Sequence, residues 1–334
     1  MQTKGRTVPS HGLIPSYFQH NVYFATNRGR LDQTDFGVER SDILYFGLCK
    51  TTVPRATWHK IGNVERPPWW DEENPDNHVT ISQPTEVLGR HTFYETVKAE
   101  NATSALVFVH GFNTTFRKAI MRVAQIKHDL QFGGSAILYS WPSAGQPGAY
   151  FADQETVDAS QFHLEEFLAE LVAKTALQDI SIIAHSMGNR VLASSLEKLS
   201  LRTAPPFFRN IILAAPDVDR GLFRSLAPAI ASRAESITLY ASSRDWALQW
   251  SRRMHAAYGI STAPRAGDCS NGDIVTVPNY PNVTSIDVQL GHSFITSSRN
   301  VLNDLSRILK GEMHPPRFGL ELAAPIGTYW RLLP

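Results

Sequence analysis

The 334-residue chain is long enough for two small domains or one large α/β unit. Its 43% hydrophobic and 19% charged residues exclude wholesale disorder and a coiled coil. Lys and Arg number 32 against 31 Asp and Glu, so the net charge of +1 provides no global field to draw in nucleic acid or anionic lipid.

In chain order, Val22 to Thr26, Leu44 to Leu48 and Val79 to Ser82 are strand-like. Polar loops rich in Pro and Trp, such as Arg66-Pro67-Pro68-Trp69-Trp70, separate them, which predicts antiparallel strands extending one sheet edge. From Ser104 onward short apolar runs alternate with segments of helical period, the pattern of a parallel sheet with crossover helices. The runs are Ala105 to Val109, Ala136 to Tyr139, Ile180 to Ala184, Ile211 to Ala215, Ile237 to Tyr240 and Thr284 to Val288. Their lack of polar alternation is what strands covered on both faces require. Three- and four-residue spacing marks helices through Ala119 to Leu130, Leu164 to Val172, Val191 to Leu199 and Val301 to Leu309. The tail from Gly311, with Pro315, Pro316, Gly319, Pro325 and Gly327, predicts an irregular strap. No linker divides the chain, so one domain over 1–334 is expected: N-terminal strands and loops to 100, a core over 101–310 and the strap over 311–334.

Cys49 and Cys269 allow one disulfide at most and are too few for a zinc site without histidine. No metal-ligand spacing and no G-x-G-x-x-G turn appears, so neither metal nor cofactor is expected. The first thirty residues, opening Met1-Gln2-Thr3-Lys4-Gly5-Arg6, hold no signal-length apolar stretch, and no segment approaches the roughly 20 apolar residues of a membrane span. The expected location is cytoplasmic. The oligomeric state stays open, with Trp69 and Trp70 as candidates for an interface.

The sharpest chemical signal is Ile183-Ala184-His185-Ser186-Met187-Gly188-Asn189, where a buried strand runs into a helix through a small-x-Ser-x-Gly turn. Such a nucleophile elbow lifts the serine above the carboxyl edge of the sheet, where open α/β sheets bind ligands. A serine hydroxyl needs a base, and the base needs a carboxylate to orient it. Downstream of Ser186, His292 lies just past the last strand and before the last helix, whereas His255 falls in a helix and His314 in the tail. Asp245, after the run Ile237 to Tyr240, is favoured as the acid over Asp217 and Asp219, which follow the preceding strand. Backbone N–H groups of Met187 and of Phe112, in the loop Val109-His110-Gly111-Phe112-Asn113-Thr114, are expected to face the developing oxyanion, with Asn113 as the alternative to Phe112. His110 is expected to hold that loop. Asn113, His185 and Trp141 are candidates to line the pocket, with Trp141 equally suited to the core. Segments 145–154 and 246–273 and the Trp-rich loop are placed to cover it.

Val107 to Asn113, Tyr139-Ser140-Trp141-Pro142-Ser143, Ala184 to Asn189, Ala215-Pro216-Asp217-Val218-Asp219 and Gly291-His292-Ser293, in this order, resemble one family. It is the α/β-hydrolase group called domain of unknown function 900, a bacterial esterase/lipase-like set whose Tyr-Ala-Thr-(Asp/Asn)-Arg opening is similar to Tyr23-Phe24-Ala25-Thr26-Asn27-Arg28. The resemblance runs from about residue 20 to 310 and implies an α/β-hydrolase fold and a serine hydrolase of ester-like small molecules, with Ser186, Asp245 and His292 where a triad is expected. Ala184 departs from the glycine that usually opens the elbow. No long apolar insertion of a lipase lid is visible, so short, medium or aromatic acyl groups are expected. Amides, lactones, thioesters, acyl transfer to another acceptor, or binding without turnover use the same framework.

Overall fold

The computed structural model describes residues 15–55, 57–100, 102–202, 207–270, 272–277, 279–323 and 329–333. Met1 to Arg6 lie outside these, as do Pro325 and Gly327 of the tail. The strands are β1 (Tyr17–Arg30), β2 (Phe36–Pro54), β3 (Thr80–Ile81), β4 (Glu86–Leu88), β5 (Ser104–Val109) and β6 (Ser135–Ser140). Then come β7 (Asp179–His185), β8 (Phe208–Ala214), β9 (Ala234–Ala241), β10 (Val283–Asp287), β11 (Leu320–Leu322) and β12 (Trp330–Leu332). The helices are α1 (Arg90–Ala99), α2 (Phe116–Asp129), α3 (Tyr150–Lys174), α4 (Gly188–Ser200), α5 (Arg220–Ala231), α6 (Trp246–Ala257), α7 (Phe294–Ser297) and α8 (Arg299–Leu309).

All twelve strands form one sheet in the order β11-β12-β10-β9-β8-β7-β5-β6-β1-β2-β3, with β4 also on β2. From β12 through β1 every neighbouring pair is parallel. The six predicted apolar runs are the six strands from β5 to β10, and the period-two alternation within them feeds two apolar layers. Val107 and Ile182 face the layer made with α1, α3, α4 and α5, whereas Phe108 and Ile183 face the one made with α2, α6, α7 and α8. Cys49 and Cys269 belong to opposite layers and are both unbridged.

The N-terminal strands extend one sheet edge as antiparallel β1–β2, β2–β3 and β2–β4 pairs, and β1 joins the core parallel to β6 in the register Val22↔Ala136 to Thr26↔Ser140. One expectation needs correction. The tail is not wholly irregular: β12 lies parallel to β10 and β11 antiparallel to β12, so backbone donors that β10 would leave bare at the edge are paired. No described helix is long and apolar enough to cross a membrane.

Candidate active site

At the carboxyl end of β7 the chain turns on Ser186, whose φ of 53° is left-handed, and enters α4 two residues later. A non-glycine residue pays strain in this conformation, and the surroundings hold it there. The Ser186 N–H donates to Ala214 O at 2.9 Å, and Asn189 Nδ2 donates to Ser186 O and Ala214 O, both at 3.0 Å. Gly188 is required, since a Cβ there would stand 2.5 Å from His110 O. Gly111 is required on the other side, where a Cβ would stand 2.8 Å from Ser186 Cβ. Position 184, by contrast, accepts a methyl, which Ala184 buries in an apolar layer.

Beyond β9, Asp245 caps α6 by accepting the Leu248 N–H on Oδ1 at 3.0 Å. Its other oxygen, Oδ2, accepts the His292 Nδ1–H at 2.7 Å. The carboxylate is fully buried and so cannot trade this partner for water. The loops after β9 and β10 are tied together: Ser242 Oγ donates to Leu290 O and accepts from Leu290 N, while Asp287 accepts from Ser243 N and Gln289 N. His185 fixes the same segment by donating Nε2–H to His292 O at 3.0 Å. Burial and the neighbouring His292 push the His185 pKa down to about 3, leaving it a neutral donor.

The two competing carboxylates have other partners. Asp217 accepts Tyr150 Oη–H at 2.7 Å and Ser251 Oγ–H at 2.8 Å, with Arg265 at 3.4 Å. Asp219 caps α5 through Gly221 N and Leu222 N. The predicted members Ser186 and His292 line one cavity of about 550 Å³, together with Phe112, Asn113 and His185. No hydrogen bond joins Ser186 to His292 among the described residues.

The N–H groups of Phe112 and Met187 donate to no backbone acceptor among the described residues. Asn113, which carries the alternative donor, lies beside Phe112 in the cavity wall with a left-handed φ of 58°. Trp141 is not a pocket residue: it is fully buried, stacks on His110 at 5.0 Å and donates Nε1–H to His110 O at 2.7 Å. His110 does hold its loop, through a ring nitrogen on Gly111 O, and burial pushes its pKa down to about 3.

What the residue-by-residue reading missed is the support beneath that loop. Arg28, buried at the end of β1, donates to Ser140 Oγ, Gly37 O, Ser143 O and Thr114 O. Ser143 passes the contact on, donating to Asp153 Oδ2 at 2.5 Å and accepting from Thr114 N at 3.2 Å. The Thr26-Asn27-Arg28 motif is therefore a brace, with Thr26 on Ser140 O and Asn27 on Ser160 Oγ completing it. All three segments expected to cover the site contribute to the cavity wall, through Arg66, through Pro147 and Tyr150, and through Trp246 and Trp250.

The family model described as alpha/beta hydrolase of unknown function (DUF900) matches residues 86–310. The chain belongs to this family. No functionally curated protein matches it. Among solved structures, an uncharacterized protein from Bacillus cereus is 13% identical with a TM-score of 0.41, the match covering 63% of this chain and 60% of that one. The Pyrococcus furiosus esterase Pf2001 is 12% identical (TM-score 0.36; 63% and 84% covered), as is a Rhizomucor miehei esterase (0.37; 90% and 84%). The DUF900 match begins after β1 to β3, so the Arg28 brace lies outside it.

Proposed function

We propose that this DUF900 member is a serine hydrolase that cleaves carboxylic esters through an acyl-enzyme on Ser186. The observation that carries the reading is the 2.7 Å contact of buried Asp245 with His292 Nδ1, in a histidine that shares a cavity with a serine held left-handed at a strand-helix turn. With Nδ1–H committed to Asp245, the Nε2 lone pair of His292 takes the Ser186 proton as Oγ attacks the ester carbonyl. The tetrahedral oxyanion is met by the N–H groups of Phe112 and Met187, the latter at the positive end of α4. Collapse expels the alcohol, protonated by His292, and water repeats the sequence to release the acid. A cavity of about 550 Å³ with an aromatic wall supports short, medium or aromatic acyl groups.

The test is hydrolysis of p-nitrophenyl esters by wild type and Ser186→Ala, with fluorophosphonate labelling read by mass spectrometry. Turnover is expected to fall from butyrate toward palmitate and to drop by several orders of magnitude in the variant, with the label on Ser186. A wild type that neither turns over nor labels defeats the proposal.

A further inference from the structure

Three cations, Arg66, Lys118 and Arg122, line the same cavity as Ser186 and His292. Lys118 and Arg122 stand four residues apart on α2 and so share one face of it. Arg66 comes from the loop that Gly62 docks against both neighbours: Gly62 N donates to Asp129 Oδ2, its carbonyl accepts from Arg122 Nη1, and a Cβ on it would stand 2.7 Å from Ser297 O of α7.

The carboxylates nearby are already occupied. Glu65 and Asp129 hold His59 between them at 2.9 and 2.7 Å, and Glu73 pairs with Arg117. Among the residues lining the cavity the one carboxylate is Asp217, which faces Arg265 and two hydroxyls. No ion pair reaches Arg66, Lys118 or Arg122 among the described residues. Arg122 spends Nη1 on Gly62 O and Gln125 Oε1, and its Nε and Nη2 make no bond there. Burial, then the adjacent Arg66, pulls its pKa down to about 10, so its charge is held at a cost that a bound anion would relieve. The other part of the wall is aromatic: Phe112 and Trp250 each pack edge-on against Tyr150, at 5.4 and 5.6 Å.

We infer that this cavity selects esters carrying an anionic group, a carboxylate or a phosphate, held by Arg66, Lys118 and Arg122 while the apolar part meets the aromatic wall. The inference rests on the serine-hydrolase reading and specifies its substrate class. A guanidinium pair with a lysine matches planar or tetrahedral oxyanions, and its field raises the capture rate of such substrates at low salt.

The experiment compares kcat/KM for monomethyl adipate with that for dimethyl adipate by pH-stat, in wild type, Arg66→Gln/Lys118→Gln and Arg122→Gln. A parallel pair, 2-acetoxyethyl phosphate against 2-acetoxyethyl methyl ether, distinguishes phosphate from carboxylate. In wild type at low salt at least one charged-to-neutral ratio should exceed about ten, fall toward one as salt rises, and fall about tenfold in the variants. Arg122→Lys should recover part of it. Fluorophosphonate labelling of Ser186 identifies variants that are folded. Wild-type ratios at or below one for both pairs, or ratios the substitutions leave unmoved in labelled protein, overturn the inference and leave the hydrolase reading intact. If wild type neither labels nor turns over, the hydrolase reading falls. The anion site is then judged by calorimetric binding of both charged-and-neutral pairs to Ser186→Ala, where equal affinities within each pair overturn it.

Discussion

Asp217 and Asp245 leave the sheet from the adjacent strands β8 and β9, and what separates them is the set of donors each already satisfies. Asp245 gives one oxygen to a helix cap and the other to His292, whereas Asp217 gives both to hydroxyls beside Arg265. Replacing Asp245 by Asn preserves shape and removes the acceptor that fixes the His292 tautomer, so kcat should drop by about 10³–10⁴-fold. Asp217→Asn should do at least about a hundredfold less damage, because His292 keeps its carboxylate. Single-turnover kinetics on both variants decide between them; equal losses would remove Asp245 from its role. At this scale the positions of Ser186, Asp245 and His292 beyond the ends of β7, β9 and β10 are legible because chain order and the apolar runs place them. The place of Trp141 is not, since a loop has no periodicity from which to read a facing direction. Nor is the work of Arg28, for arginine is rarely buried and nothing local announces the carbonyls waiting for it.

Among the elements, the loop carrying Arg66 is clamped to the end of α2 by His59. Burial alone would lower the His59 pKa, but hydrogen bonds with Asp129 and Glu65 outweigh it and raise it from 6.5 to about 9. A folded pKa above the unfolded one contributes stability in full below about 6.5 and loses it as pH rises through about 9. Burial raises and the His59 contact lowers the pKa of both Asp129 and Glu65, with the net shift downward, so their share is present above the ordinary carboxylate range and lost as acid protonates them. His59→Gln should therefore lower Tm most near neutral pH, and its gap from wild type should narrow as pH climbs toward 10. Thermal melts of both proteins across that range check this; a gap that widens with pH contradicts the clamp. The elements themselves divide by length in how well they can be read. Strands β5 to β10 have both faces covered and run apolar for long enough to stand out. Strands β11 and β12, of three residues each, carry too little pattern to show against a Pro- and Gly-rich tail.

For the molecule as a whole, the direction in which β1 pairs was illegible because it depends on β6, far along the chain, and not on β1's own composition. The DUF900 segment alone would leave β6 as an open apolar edge and the loops at Thr114 and Ser143 without Arg28. A chain cut to residues 86–310 should accordingly aggregate, as soluble yield and light scattering will report; a monodisperse product would show that the N-terminal strands are dispensable to folding. Thr26 and Ser140, joined by a hydrogen bond, lie 114 residues apart. During synthesis, then, the β1–β2 hairpin leaves the ribosome long before the strand it docks on exists, and loop closure of that length is slow relative to local pairing. The nascent chain carries its brace first and the loops that need it later, so the cavity wall around Ser186 gains its support as a late event in the life of each molecule.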